Sequence, residues 1–244
     1  MPAAALQCPA VSEAHRRRGP LLVRRVGTDE ADVRAAAREL GPLLRAGRLV
    51  AFPTETVYGL GANALDRDAV AAVFAAKGRP SVHPLIVHIA HPDGLAQVTA
   101  GSSPLARRLA AAFWPGPLTL VLPRAPAVPD LVSAGLDTIG VRMPAHPAAR
   151  ALIEEAGVPI AAPSANPFTA ISPTTAEHVI RRLGDRIDAV LDAGPTSVGI
   201  ESTVVDARGE RAVLLRPGGV DVAALEAVAG PVDRPRVDAA ADGP

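Results

Sequence analysis

Between residues 25 and 230, short β-rich runs alternate with capped helical segments, and this alternation restricts the chain to an α/β domain. Thr28 is placed to cap a helix whose first turn holds Asp29 and Glu30 and whose inner side carries Val33, Ala37 and Leu40, with Gly41-Pro42 expected to kink or end it. Arg48 to Phe52 reads as a buried strand stopped by Pro53. Asp66 and Gly78 bracket a second helix, which puts Lys77 in the last turn and Arg79 just past the end. Pro84 to Ile89 reads as a strand with Leu85, Val87 and Ile89 on one face and Ile86 and His88 on the other. Ser103-Pro104 opens a helix and Trp114-Pro115-Gly116-Pro117 closes it. Leu118 to Leu122 and Thr138 to Met143 are strand-like, and in the second Thr138 and Arg142 share the polar face. Thr174-Thr175-Ala176-Glu177 is a capping box, and Ile187 to Leu191, Ile200 to Val205 and Val213 to Leu215 read as late strands. There is no internal repeat or linker, so residues 25–230 are expected to form one domain. Residues 1–24, with Arg16-Arg17-Arg18, are expected to be a disordered extension, and 231–244 a tail.

Composition narrows the function. Hydrophobic residues make up 48% of 244 but aromatics only 2%, so a full core must be aliphatic. A net charge of +0 gives no general attraction to nucleic acid, so any cationic site is local. The single cysteine, Cys8, allows no intrachain disulfide and fits a reducing cytoplasm. No apolar run approaches the roughly 18 residues of a membrane helix, so no membrane partner is expected.

Gly59-Leu60-Gly61-Ala62-Asn63-Ala64 formally fits a relaxed dinucleotide fingerprint, but the next helix starts only near Asp66 and no acidic residue follows at the required distance. P-loop, nucleophile-elbow and zinc-helix motifs are absent. What stands out is polar residues among apolar ones. Thr54, Glu55 and Thr56 fill a turn after a buried strand, a place where ordinary turn chemistry is an equally good reading. Lys77 and Arg79 flank a helix C-terminus, where they either compensate its dipole or clamp a phosphate. His88 and Arg142 sit in aliphatic strands on the face opposite the hydrophobic row, either facing solvent or lining a ligand. Ala161 to Asn166 ends a buried strand in small and polar residues, and Gly199 to Thr203 and Leu215 to Gly218 repeat the pattern.

Taken together, PTETVYGLGANA at 53–64, KGRP at 77–80, PLIVHIA at 84–90, WPGPLTLVL at 114–122, GLDTIGVRMPAHP at 135–147, GVPIAAPSAN at 157–166, SPT at 172–174, GIESTVVD at 199–206 and LLRPG at 214–218 resemble the threonylcarbamoyl-AMP synthase family with its YrdC-like domain. The resemblance implies a twisted mixed β-sheet with flanking helices around a concave active site. It also implies a nucleotidyltransferase that condenses L-threonine, bicarbonate and ATP, with a divalent cation such as Mg carried on the triphosphate, into threonylcarbamoyl-AMP and pyrophosphate. The product would pass to a tRNA threonylcarbamoyl transferase complex; whether this chain touches tRNA is left open. By the same resemblance Thr56, His88, Arg142, Ala162 and Ser202 hold threonine, while Lys77, Arg79, His83, Thr138, Ser164, Asn166, Ser172 and Arg216 hold the nucleotide. Lys77 and Arg79 are the expected catalytic charges, no organic cofactor is implied, and no metal-ligand cluster is visible.

Two departures from the family pattern are plain. His83 stands where Asn is usual, and the sequence stops at Pro244 before the linker and further C-terminal domain of long members, so either a short form or a truncated long one is expected. Two rival readings remain: a non-catalytic binder of double-stranded RNA, disfavoured by the neutral charge, and a carbamoyltransferase of related fold, which would carry further catalytic domains.

Overall fold

The computed structural model describes residues 19–235. In chain order the elements are β1 (Leu22–Arg25), α1 (Glu30–Arg45), β2 (Val50–Pro53), β3 (Tyr58–Asn63), α2 (Arg67–Lys77), β4 (Ile86–His88), α3 (Leu95–Val98), α4 (Pro104–Phe113) and β5 (Leu118–Pro123). They continue with α5 (Asp130–Ser133), β6 (Thr138–Arg142), α6 (Pro147–Ala156), β7 (Ile160–Ala161), α7 (Ala176–Leu183), β8 (Ala189–Asp192), β9 (Thr203–Asp206), β10 (Val213–Arg216) and α8 (Val222–Ala229). The strands form one ten-stranded sheet in the order β1-β8-β2-β3-β7-β4-β6-β5-β9-β10. Pairing is mixed: β1–β8, β8–β2, β4–β6 and β5–β9 are parallel, and the other neighbours antiparallel.

Alternation along the strands divides the core in two. Ala51 and Val190 point to a large cluster shared with α2, α4, α7 and α8, while Val50, Phe52, Ala189 and Leu191 point to a second cluster beneath α1 and α6. On that second face, the positions beyond α6 are occupied by the small residues Gly59, Gly140 and Ala162 and by the polar His88 and Arg142 instead of large aliphatic side chains. His88 and Arg142 are direct register partners across β4 and β6, and His88 is also opposite Ile160 of β7. The glycines of the false fingerprint are structural. A Cβ on Gly61 would stand 2.8 Å from Phe52 and 2.9 Å from Ile160, so only glycine lets β3 lie against those side chains.

Several boundaries differ from those expected. Asp29, not Thr28, caps α1 by accepting from Asp32 N, and Thr175, not Thr174, caps α7 by accepting from His178 N. Gly41 and Pro42 lie inside α1. The helix continues because Gly41 lacks a Cβ that would meet the backbone of α6 at 2.7 Å, and because Arg45 donates to the carbonyls of Glu155 and Ala156 at its end. Pro53 closes β2 as a paired residue opposite Tyr58. Ile200 stays outside the sheet, where β9 begins only at Thr203. The domain boundary at residue 25 is also corrected, since Leu22–Arg25 pairs in parallel with β8. At the other end Asp233 bridges to Val213, and its N donates to Ala212 O, so ordered structure runs past residue 230. The rest of the expected extension (1–18) and tail (236–244) lies outside the described residues. Among the described residues no helix is long and apolar enough to cross a membrane.

Gly61→Ala is expected to destabilise the domain by about 1–3 kcal/mol through overpacking. Gly78→Ala should cost about 1–2 kcal/mol from backbone strain at φ +61° alone, since no atom lies within 4 Å of the added methyl. Urea unfolding of the two variants, followed by crystal structures, checks that neighbours shift in Gly61→Ala and not in Gly78→Ala.

Candidate active site

The hollow on the second face is a cleft of about 240 Å³. Its floor is the hairpin between β2 and β3, where the run Thr54-Glu55-Thr56-Val57 is almost wholly out of water's reach. Thr54 Oγ1 donates to Val57 O at 2.7 Å, so its only proton is committed. The 2.9 Å contact between the two hydroxyls therefore has Thr56 donating to Thr54, and Thr56 in turn accepts from Arg142 Nη1 at 2.9 Å. Thr56 has no proton left for a ligand; its hydroxyl orients Arg142.

Arg142 is 4% exposed. Its Nε donates to Gly116 O at 3.1 Å and its Nη2 is 2.7 Å from Glu55 Oε1, an ion pair in distance that lacks hydrogen-bond alignment. Burial lowers the guanidinium pKa, and the Glu55 carboxylate opposes that shift. Glu55 Oε2 accepts from Ala145 N at 3.0 Å, while the backbone carbonyls of Glu55 and Thr56 accept from Val198 N and Gly199 N. The hairpin thereby holds the loop that delivers Glu201 and Ser202 to the cleft wall.

His88 is 4% exposed, with Nδ1 buried and without a hydrogen-bond partner. Burial, reinforced by Arg142, pushes its pKa down to about 3, so the imidazole is neutral at physiological pH. Arg79 reaches the cleft from beyond α2: its Nη2 donates to Pro84 O at 3.2 Å, its guanidinium lies 5.9 Å over the ring of Phe168, and its buried Nε has no partner. Arg216 donates to Ser202 O at 2.8 and 3.2 Å and to Ser202 Oγ at 3.2 Å. Burial lowers the pKa of both arginines. Glu201 Oε1 accepts from Ser172 Oγ at 2.5 Å. In and around the cleft Arg79, Arg142 and Arg216 stand against Glu55 and Glu201, which leaves one positive charge in excess, while burial and Arg79 push the pKa of Lys77 behind the wall down to about 7.

Of the residues expected here, Thr56, Arg79, His88, Arg142, Ala162, Ser164, Ser202 and Arg216 form the cleft wall. The other five stand apart from it. Lys77 is 2% exposed and its ammonium donates to the carbonyls of Ser164 and Asn166, behind the wall. Asn166 turns its side chain to Pro167 O and Ala170 O, and Ser172 supports Glu201. Thr138 is half-buried at the start of β6 opposite Pro123, and exposed His83 packs on Phe168 with ring centroids 5.2 Å apart. Glu55, Glu201 and Thr54 are the residues that sequence reasoning left out of the site. The signal for them was their place among apolar neighbours, which marked the segments but not their partners.

Because His88 is held neutral, folding stability should fall as pH drops from about 6.5, where the unfolded imidazole protonates, towards about 3. His146, also lowered by burial, contributes in the same direction. In urea titrations between pH 7 and 4, His88→Asn should lose less stability than the parent, by up to ~1.4 kcal/mol per pH unit. Equal losses in both proteins would contradict a neutral buried His88.

The Sua5/YciO/YrdC family model, described as telomere recombination, matches residues 42–218. The chain is 54% identical over 191 residues to a threonylcarbamoyl-AMP synthase of Bacillus subtilis and 52% identical over 189 residues to one of Pyrococcus abyssi. These matches cover 78% of this chain but 55% and 56% of those proteins, so the chain spans about half the length of the curated relatives it matches. Pyrococcus abyssi Sua5, solved in complex with L-threonine, superposes with a TM-score of 0.82 at 48% identity, covering 88% of this chain and 62% of that one. Escherichia coli YciO shares the fold along its whole length, with a TM-score of 0.72 at 24% identity and 85% of this chain covered. On the family match and the identity to its relatives, this chain belongs to the Sua5/YciO/YrdC family.

Proposed function

We propose that the cleft binds L-threonine and ATP and, with bicarbonate, forms threonylcarbamoyl-AMP and releases pyrophosphate. The observation that carries this reading is a cleft in which Arg79, Arg142 and Arg216 outnumber the carboxylates of Glu55 and Glu201, beside a neutral histidine. Such a site suits a small amino acid beside a polyanion. A relative similar to nearly nine-tenths of this chain was solved with L-threonine, which supports the same assignment.

The chemistry asks for placement and charge stabilisation rather than covalent catalysis. The amine of threonine adds to the carbon of bicarbonate, with loss of water, to give a carbamate. A carbamate oxygen then attacks the α-phosphorus, and the bond to pyrophosphate breaks. The N–H groups of Arg142 not engaged by Glu55, Thr56 and Gly116 suit the threonine carboxylate. Uncharged His88 and the backbone at Ala162 can meet the amine or the hydroxyl without competing for the carboxylate. Arg79 and Arg216 face the cleft with the charge that the phosphates need. Ser164 and Ser202 offer hydroxyls, while His83, Thr138, Asn166 and Ser172 would serve the nucleotide from the cleft mouth or from behind its wall.

Among the described residues no three His, Cys, Asp or Glu side chains gather as a metal site. A divalent cation such as Mg would enter on the triphosphate, whose oxygens are the ligands it prefers. In this reading the product, an activated mixed anhydride, passes to a transferase acting on tRNA in the cytoplasm.

Pyrophosphate release from ATP should require both threonine and bicarbonate, and release indifferent to threonine would sink the reading. Arg79→Ala and Arg216→Ala should each lower kcat/KM by about 100-fold, a loss of ~3 kcal/mol of transition-state stabilisation, while the circular dichroism spectrum stays that of the folded parent. Salt-dependent RNA binding with no ATP turnover would favour the RNA-binding alternative.

A further inference from the structure

We propose that Lys77 is a positioning residue whose ammonium straps the segment 164–168 to the end of α2, leaving Arg79 as the member of the pair that meets the phosphates. A lysine in the last turn of a helix ordinarily extends into water, yet Lys77 is 2% exposed. Its Nζ donates to the carbonyls of Ser164 and Asn166, on either side of Ala165. The return contact comes from Phe168 N, which donates to Lys77 O at 2.8 Å. Lys77 thus grips the loop with its side chain and its backbone.

That loop needs a restraint. Thr169 has a φ of +67°, in the left-handed region that β-branched residues avoid. Asn166 spends its amide on Pro167 O and Ala170 O to close the turn around it. The chain leading into the segment supplies Ala162 and Pro163 to the cleft wall, and the segment itself supplies Ser164 to that wall and Phe168 to the face over which Arg79 lies. The left-handed Gly78 between the two cations turns the chain, so that Arg79 enters the cleft while Lys77 stays behind the wall.

The two roles differ in what they require. A phosphate clamp requires the charge of Lys77 and acts on phosphates alone. A strap requires only two N–H donors, which even a neutral amine retains, and acts on everything the wall touches. The ligand arm of the test rests on the nucleotide reading above; the exchange arm does not.

Affinities for ATP and AMP measured by calorimetry, with deuterium uptake of the 163–170 segment, separate the two. Lys77→Met should weaken ATP and AMP by the same factor and raise uptake in the segment. Arg79→Ala should cut the ratio of ATP to AMP affinity by about tenfold, with uptake unchanged. The strap is overturned if Lys77→Met lowers that ratio as Arg79→Ala does, or if uptake stays at the parental level. Should Lys77→Met fail to fold, Lys77→Gln, which keeps two N–H donors but no charge, replaces it: a parental ratio of ATP to AMP affinity supports the strap, and a ratio lowered as in Arg79→Ala overturns it. If the parent protein binds neither nucleotide, the nucleotide reading falls, and uptake in the Lys77 variant still decides the strap.

Discussion

A guanidinium buried in the middle of a sheet is tolerable only if its charge is matched and its donors are used, and the site around Arg142 is organised by that requirement. Glu55 supplies the opposing charge, Thr56 a hydroxyl acceptor and Gly116 a carbonyl. These three come from the β2–β3 hairpin and from the turn before β5, so one buried charge pins separate parts of the chain against β6. The effect spreads through the hairpin backbone to residues 197–202, which bring Glu201 and Ser202 into place. A buried ion pair is a poor source of net stability; here it fixes a geometry.

The hollow itself comes from what the second face of the sheet lacks. Under α1 and α6 that face is filled by Val50, Phe52 and Leu191, and beyond them Gly59, Gly140 and Ala162 leave space above the backbone. His88 and Arg142 can be polar in that space because the opposite faces of β4 and β6 still bury Val87, Ile139 and Val141 in the larger core. Fold and site therefore use the same strands, with alternation assigning one face to each.

Much of this was legible in the sequence because it rests on local rules. Asp66 and Gly78 mark α2, alternation places His88 and Arg142 opposite the aliphatic row, and the spacing of the helix rules out a dinucleotide fingerprint at Gly59 and Gly61. What was not legible depends on residues distant in the chain. Glu55 looks like a solvated carboxylate in a threonine-rich turn until β6 brings Arg142 beside it. Lys77 looks like a free cation at a helix end until two carbonyls close over it. The boundary at residue 25 failed for the same reason, because Leu22–Arg25 is a strand only through its pairing with the distant β8.

Under the proposed function Glu55 and Arg142 act as one unit in recognising the amino acid. A double-mutant cycle of Glu55→Gln and Arg142→Gln, read as L-threonine affinity by calorimetry, tests this directly. The prediction is that each single change weakens binding by at least about tenfold, and that the double variant is little worse than the weaker single one, a coupling of ~1.5 kcal/mol or more. Effects that add to within ~0.5 kcal/mol would mean that the two residues act independently and that the cleft is not organised by this pair.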